Sequence, residues 1–177
     1  MIRKSSTNIG LIGIFEKIIR SHPLLYIFFR SIIRFTNIFE KDFDGLKKVN
    51  FKKNINIIDV GASDGISVKY FIKNLNVNKI ICFEPYKKYI RILKKIDKVV
   101  VKPYAIGNTN SIKKIFFPRY KYFKTKFDLI TYAHYEKKLL NHFLNDFVFK
   151  KNLYIASANL KIKKVDKIKL KIDLIKV

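Results

Sequence analysis

The chain has no tryptophan, a single cysteine, six glycines and four prolines in 177 residues, and only 13 acidic side chains against 38 Lys and Arg. One cysteine excludes an intramolecular disulfide, and Cys82, inside the apolar run K-I-I-C-F-E, reads as a buried structural thiol rather than a nucleophile. No segment reaches the roughly 18 uninterrupted apolar residues of a spanning helix. The N-terminus, basic at Arg3 and Lys4, is interrupted by Glu16, Lys17 and Arg20 and offers no small-residue cleavage site, so it does not read as a secretory signal. The expected location is therefore cytoplasmic or membrane-peripheral.

What the chain does have is apolar content, 49% of residues with 15% aromatic, which excludes a disordered polymer and suffices for one domain with a real core. The net charge of +25 suggests a nucleic-acid partner. The lysines are nevertheless scattered along the whole chain. The wealth of Lys, Ile, Asn, Phe and Tyr is also what an AT-rich coding sequence writes at unconstrained positions.

Residues 9–39 alternate apolar clusters with basic residues and read as an N-terminal helical extension broken at His22-Pro23. Such a helix packs on the domain or lies on an anionic membrane with Arg20, Arg30 and Arg34 at its polar edge. A polar connection, roughly 40–54, divides this extension (1–50) from a main domain (51–177). There, short apolar runs alternate with amphipathic ones. Strands are expected at 55–60, 79–84 and 98–104, with helices over 65–75 and from Pro85 to about Ile96. Beyond them, 112–117, 153–158 and 172–177 read as strands and 136–149 as a helix. The β-α-β-α-β order implies an α/β, Rossmann-like fold with a mostly parallel sheet.

Two of the six glycines, Gly61 and Gly65, fall in one turn, D-V-G-A-S-D-G, right after the first strand. Ligands of open parallel sheets bind beyond the C-terminal strand ends, where Asp59 and Glu84 both lie. The turn lacks the G-x-G-x-x-G spacing of a dinucleotide site, and Asp59 and Asp64 would repel a pyrophosphate. Acids here suit a ligand with cationic groups instead, such as the ammonium and sulfonium of S-adenosylmethionine. Its carboxylate would take the helix N–H groups. Glu84, nineteen residues after Gly65, is placed to accept hydrogen bonds from both ribose hydroxyls.

D-V-G-A-S-D-G, C-F-E-P, P-Y-A-I-G (103–107) and I-D-L-I-K-V, in that order over roughly residues 55–177, resemble the FkbM-type methyltransferases. The resemblance implies a class I methyltransferase fold and methyl transfer from S-adenosylmethionine to a hydroxyl oxygen, on a sugar or another natural-product scaffold. By position, Asp59, Gly61, Ala62, Ser63, Asp64 and Gly65 would form the cofactor loop. Glu84 would hold the ribose, Pro85 would shape the turn beside it, and Ala105 and Ile106 would lie along the adenine. The family commonly has Asn where Ser63 stands, and often Asn where Tyr86 follows the Glu-Pro pair. Its last core strand runs on into an Asp-Val-Glu-Gly segment, before which this chain ends, so the expected domain is C-terminally incomplete and no catalytic base is assigned. The expected partner is a small-molecule or glycan acceptor. A nucleic-acid methyltransferase, or a non-catalytic basic protein binding membrane or RNA, is the alternative. His22, His134 and His142 have no Cys or His partner at metal-ligand spacing, so no metal site is assigned.

Overall fold

A computed structural model describes residues 22–36, 41–49, 51, 53–145, 151–164 and 171–177. The first helix, α1 (Pro23–Thr36), starts on its proline, where the missing N–H is not needed. His22 Nδ1 accepts the Leu24 N–H at 3.2 Å and so satisfies one of the free donors of the first turn. Of the three arginines expected at a polar edge, Arg20 and the side chains of Arg30 and Arg34 lie outside the described residues. Among the described residues no helix is long and apolar enough to cross a membrane.

The expected polar connection is instead a 3-10 helix, Lys41–Lys48. Its sequence looks polar, but Phe43 and Leu46 turn inward onto the core, Phe43 stacks on Tyr70 at 4.8 Å, and the Tyr70 hydroxyl donates to the Phe43 carbonyl. Two anchoring apolar residues in eight were too few to register as a pattern.

From there the chain alternates β1 (Ile55–Val60), α2 (Ile66–Asn74), β2 (Val77–Phe83), α3 (Lys87–Leu93) and β3 (Val99–Lys102). It continues through β4 (Ala105–Ile106), β5 (Ser111–Tyr122), β6 (Thr125–Asp128), a 3-10 turn (Ile130–Tyr132), α4 (Lys137–Leu144), β7 (Leu153–Lys163) and β8 (Leu174–Lys176). The first sheet has the order β3-β2-β1-β8, all pairs parallel. The apolar runs of its central strands β1 and β2 follow from burial on both faces. Ile57, Ile80 and Cys82 join Val68 and Phe71 of α2 and Leu93 of α3, while Ile58, Ile81 and Phe83 meet Val60, Tyr104 and Ile172 on the other face. Each such side chain taken fully from water contributes about 1.5–3 kcal/mol.

The second sheet is mixed, with the order β4-β7-β5-β6. β4 runs parallel to β7, and β5 and β6 form an antiparallel hairpin. β5 extends well past the expected 112–117 and β7 past the expected 153–158. β6, whose T-K-F-D carries no apolar run, was not foreseen. The helix expected over 136–149 is found as α4, and 146–150 lie outside the described residues. The chain divides into two compact units. One comprises Ile33–Phe116 with Ser157–Val177 and holds the parallel sheet; the other comprises the described residues up to Ile32 with Phe117–Ala156.

Candidate functional site at the end of the parallel sheet

Strands β2 and β3 are laid down to one side of β1, and β8 lies on the other. The C-terminal end of β1 is therefore the point where the strand order reverses, the place where an open parallel sheet leaves a crevice. The Gly-bearing turn begins there.

Gly61 turns the chain with φ +73°, and its N–H donates to the Phe83 carbonyl at 2.9 Å, tying the turn to the end of β2. A Cβ built on Gly61 would meet nothing within 4 Å. The glycine is thus required by its left-handed backbone, and the space over it is open for a ligand to approach closely. Ala62 is buried, and its carbonyl accepts the Gly65 N–H at 3.0 Å, closing a tight turn around Ser63 and Asp64. Ser63 has φ +51°, a region in which Asn is several-fold enriched among non-glycine residues. Gly65, at φ +83°, starts α2, and a Cβ there would stand 3.1 Å from Ile96 Cδ1 and 3.2 Å from Leu93 Cδ2. Its lack of a side chain lets α2 begin close against the end of α3.

Asp59 has no solvent exposure. Ser67, in the first turn of α2, donates its hydroxyl to Asp59 Oδ2 at 2.5 Å. Lys176, register partner of Asp59 across the β1–β8 pair, places Nζ 3.0 Å from Oδ1, an ion-pair contact rather than an aligned hydrogen bond. The same ammonium reaches the carbonyls of Val60 at 3.5 Å and Gly61 at 3.4 Å. Burial raises the Asp59 carboxyl above its ordinary range, while the Lys176 charge and the Ser67 hydrogen bond oppose the rise. The sequence sets Asp59 toward cationic groups of a ligand; in the structure a lysine and a serine engage it. Asp64 is buried as well.

Glu84, 4% exposed, is the link between the turn and β2. Its Oε2 accepts the Ser63 N–H and its Oε1 the Tyr86 N–H, both at 2.8 Å. Burial raises its carboxyl, the two backbone hydrogen bonds oppose that, and the nearby Asp59 charge adds to the rise. Each carboxylate oxygen has two acceptor positions, so one per oxygen is left after these bonds. Pro85 stands between the two anchoring points, at the bend into α3.

Hydrogen bonds thus tie the turn to Glu84, and Lys176 links the turn carbonyl of Gly61 to Asp59, with Pro85 following Glu84 in the chain. Ala105 and Ile106 are placed differently: they form β4 and pair with Ile162 and Lys163 of β7. Ser67 and Lys176 were missed from the sequence. The signal for Lys176 was present, since a final strand laid parallel beside β1 puts its last residues level with Asp59. His22 is engaged at the start of α1, His134 Nδ1 accepts the Glu136 N–H at 2.9 Å, and the side chain of His142 lies outside the described residues. Cys82 is fully buried, and burial pushes its thiol up to about 12.

No protein-family model matches the chain, and no curated protein or solved structure is significantly similar to it.

Proposed function

We propose that this chain carries an S-adenosylmethionine-binding methyltransferase domain acting on a hydroxyl of a sugar or other small-molecule acceptor. The observation that carries the reading is the fixing of Glu84. Its two oxygens are held by N–H groups on either side, Ser63 from the turn and Tyr86 from the next helix, so the carboxylate is oriented before any ligand arrives. A pair of adjacent hydroxyls, as on a ribose, matches the two remaining acceptor positions. A phosphate does not, because it would face a carboxylate with no donor to offer.

The residues around the turn fit the rest of such a cofactor. The open space over Gly61 admits close approach, and the first N–H groups of α2 suit a carboxylate. The Lys176 ammonium stands on the carbonyls and the carboxylate oxygen that a cationic group of the ligand would favour, so the two compete for one location. Bound there, S-adenosylmethionine would supply an electrophilic methyl group; the protein's part is to hold acceptor and donor in line. No residue is assigned as catalytic base.

Equilibrium titration calorimetry tests the reading. S-adenosylhomocysteine and S-adenosylmethionine are expected to bind, and oxidised nicotinamide dinucleotide is not. Binding of the dinucleotide with no binding of either methionine derivative would overturn it.

A further inference from the structure

At the tip of the β5–β6 hairpin three features that each destabilise an isolated protein fall within six residues. The last cross-strand pair is Tyr122 with Thr125, leaving Phe123-Lys124 as a two-residue turn. Turns of this length favour glycine and asparagine, yet Phe123 occupies the left-handed region at φ +50°. The same phenylalanine is 80% exposed. One step back from the turn, Lys121 faces Lys126 directly across the strands, a like-charge pair that weakens a sheet. The next pair on that face, Arg119 with Asp128, is by contrast a complementary ion pair with two contacts. Backbone strain, an exposed aromatic and a repulsive pair together indicate that the tip is built for something outside the chain.

We infer that the β5–β6 hairpin tip is a membrane-docking element, with Phe123 entering the interface of an anionic bilayer and Lys121, Lys124 and Lys126 contacting its headgroups. The order of groups along the hairpin fits the depth profile of such an interface. The apolar ring stands at the turn with exposed Lys124 beside it, exposed Lys121 and Lys126 lie behind, and an aromatic series leads back into the protein. In that series Phe123 meets Tyr122 edge-on at 4.7 Å, and Tyr122 stacks at 6.5 Å on buried Tyr120. Tyrosine is suited to the boundary between headgroup and hydrocarbon. An anionic surface relieves both remaining liabilities at once, because it neutralises the lysine pair and takes the phenyl ring from water. The element is distinct from the N-terminal extension and from the methyl-donor reading, and stands without either.

Because the chain has no tryptophan, Phe123→Trp in the full chain gives an emission signal from the tip alone. Vesicles of phosphatidylcholine with about a third phosphatidylserine are expected to shift that emission to the blue, and brominated acyl chains to quench it. Pure phosphatidylcholine is expected to do neither. In pelleting assays Phe123→Asn, a substitution compatible with the left-handed turn, is expected to lower partitioning roughly tenfold or more while the thermal melt is unchanged or raised. Lys121→Gln with Lys126→Gln is expected to lower it by a similar factor and to flatten its salt dependence. Emission unmoved by anionic vesicles, or undiminished pelleting of Phe123→Asn, would overturn the inference. A shift produced by single-stranded RNA and not by vesicles would overturn it too, and assign the tip to nucleic acid.

Discussion

Replacing Lys176 by methionine isolates the contact that the sequence did not reveal. The substitution keeps most of the aliphatic stem and removes the ammonium 3.0 Å from Asp59 Oδ1. Breaking a buried ion pair from one side costs about 3–5 kcal/mol, because the remaining charge is stranded. Asp59 has no exposure, but the Lys176 side chain is 32% exposed, so water screens part of the interaction and roughly 1–3 kcal/mol is the better expectation. For a chain of this size that corresponds to a melting temperature lower by about 3–10 °C at pH 7.5. The pH dependence gives the test its edge. Burial already holds the Asp59 carboxyl above 3.8, and Lys176 is one of the groups pulling it back. A carboxyl raised in the folded state binds protons more readily there than in the unfolded chain. Its contribution to stability is therefore full below the unfolded value and is lost as pH rises through the folded one. Removing Lys176 raises the folded value further, so the deficit of Lys176→Met is expected to be largest at neutral pH and to shrink on acidification. Asp59→Asn in the same chain is expected to recover most of it at pH 7.5. Urea or thermal melts at pH 7.5 and 5 measure both effects. A deficit independent of pH, or a double variant no better than the single, would refute the ion-pair account. With the ammonium gone, S-adenosylmethionine is expected to bind about tenfold more tightly, a gain of about 1.4 kcal/mol.

Gly65→Ala is expected to destabilise by at least 1 kcal/mol in a chemical melt, since it adds a side chain at φ +83° and a Cβ within 3.2 Å of both Leu93 and Ile96. Ser63→Asn is expected to be neutral or stabilising by up to about 1 kcal/mol, because φ +51° suits asparagine better than serine. Cys82 is expected to resist alkylation by iodoacetamide in the folded protein at pH 8 and to react fully in denaturant, as its buried thiol is held at about 12. Mass spectrometry of the two samples reads this directly.

The parallel sheet was legible because its central strands are buried on both faces and so appear as largely apolar runs: I-N-I-I-D-V is β1 residue for residue. Glu84 was legible for the same reason, as the first acid after such a run. The segments read less well obey weaker patterns. Phe43 and Leu46 anchor a 3-10 helix through two contacts in an otherwise polar stretch, and β6 takes its shape from pairing with β5 rather than from its own residues. Within the site, the chain between Asp59 and Lys176 is 116 residues long, so only the register of β8 against β1 brings their charges together.

The most direct test of the central claim compares the wild type with Glu84→Ala in thermal melts with and without S-adenosylhomocysteine. The substitution leaves the N–H groups of Ser63 and Tyr86 without their acceptor, so the variant is expected to melt lower even without ligand, by roughly 2–4 kcal/mol of lost stability. Ligand is expected to raise the wild-type melting temperature by several degrees at a hundredfold excess over Kd and to leave that of Glu84→Ala unmoved. A wild type that ligand does not stabilise, or a variant stabilised as much as the wild type, would contradict the account.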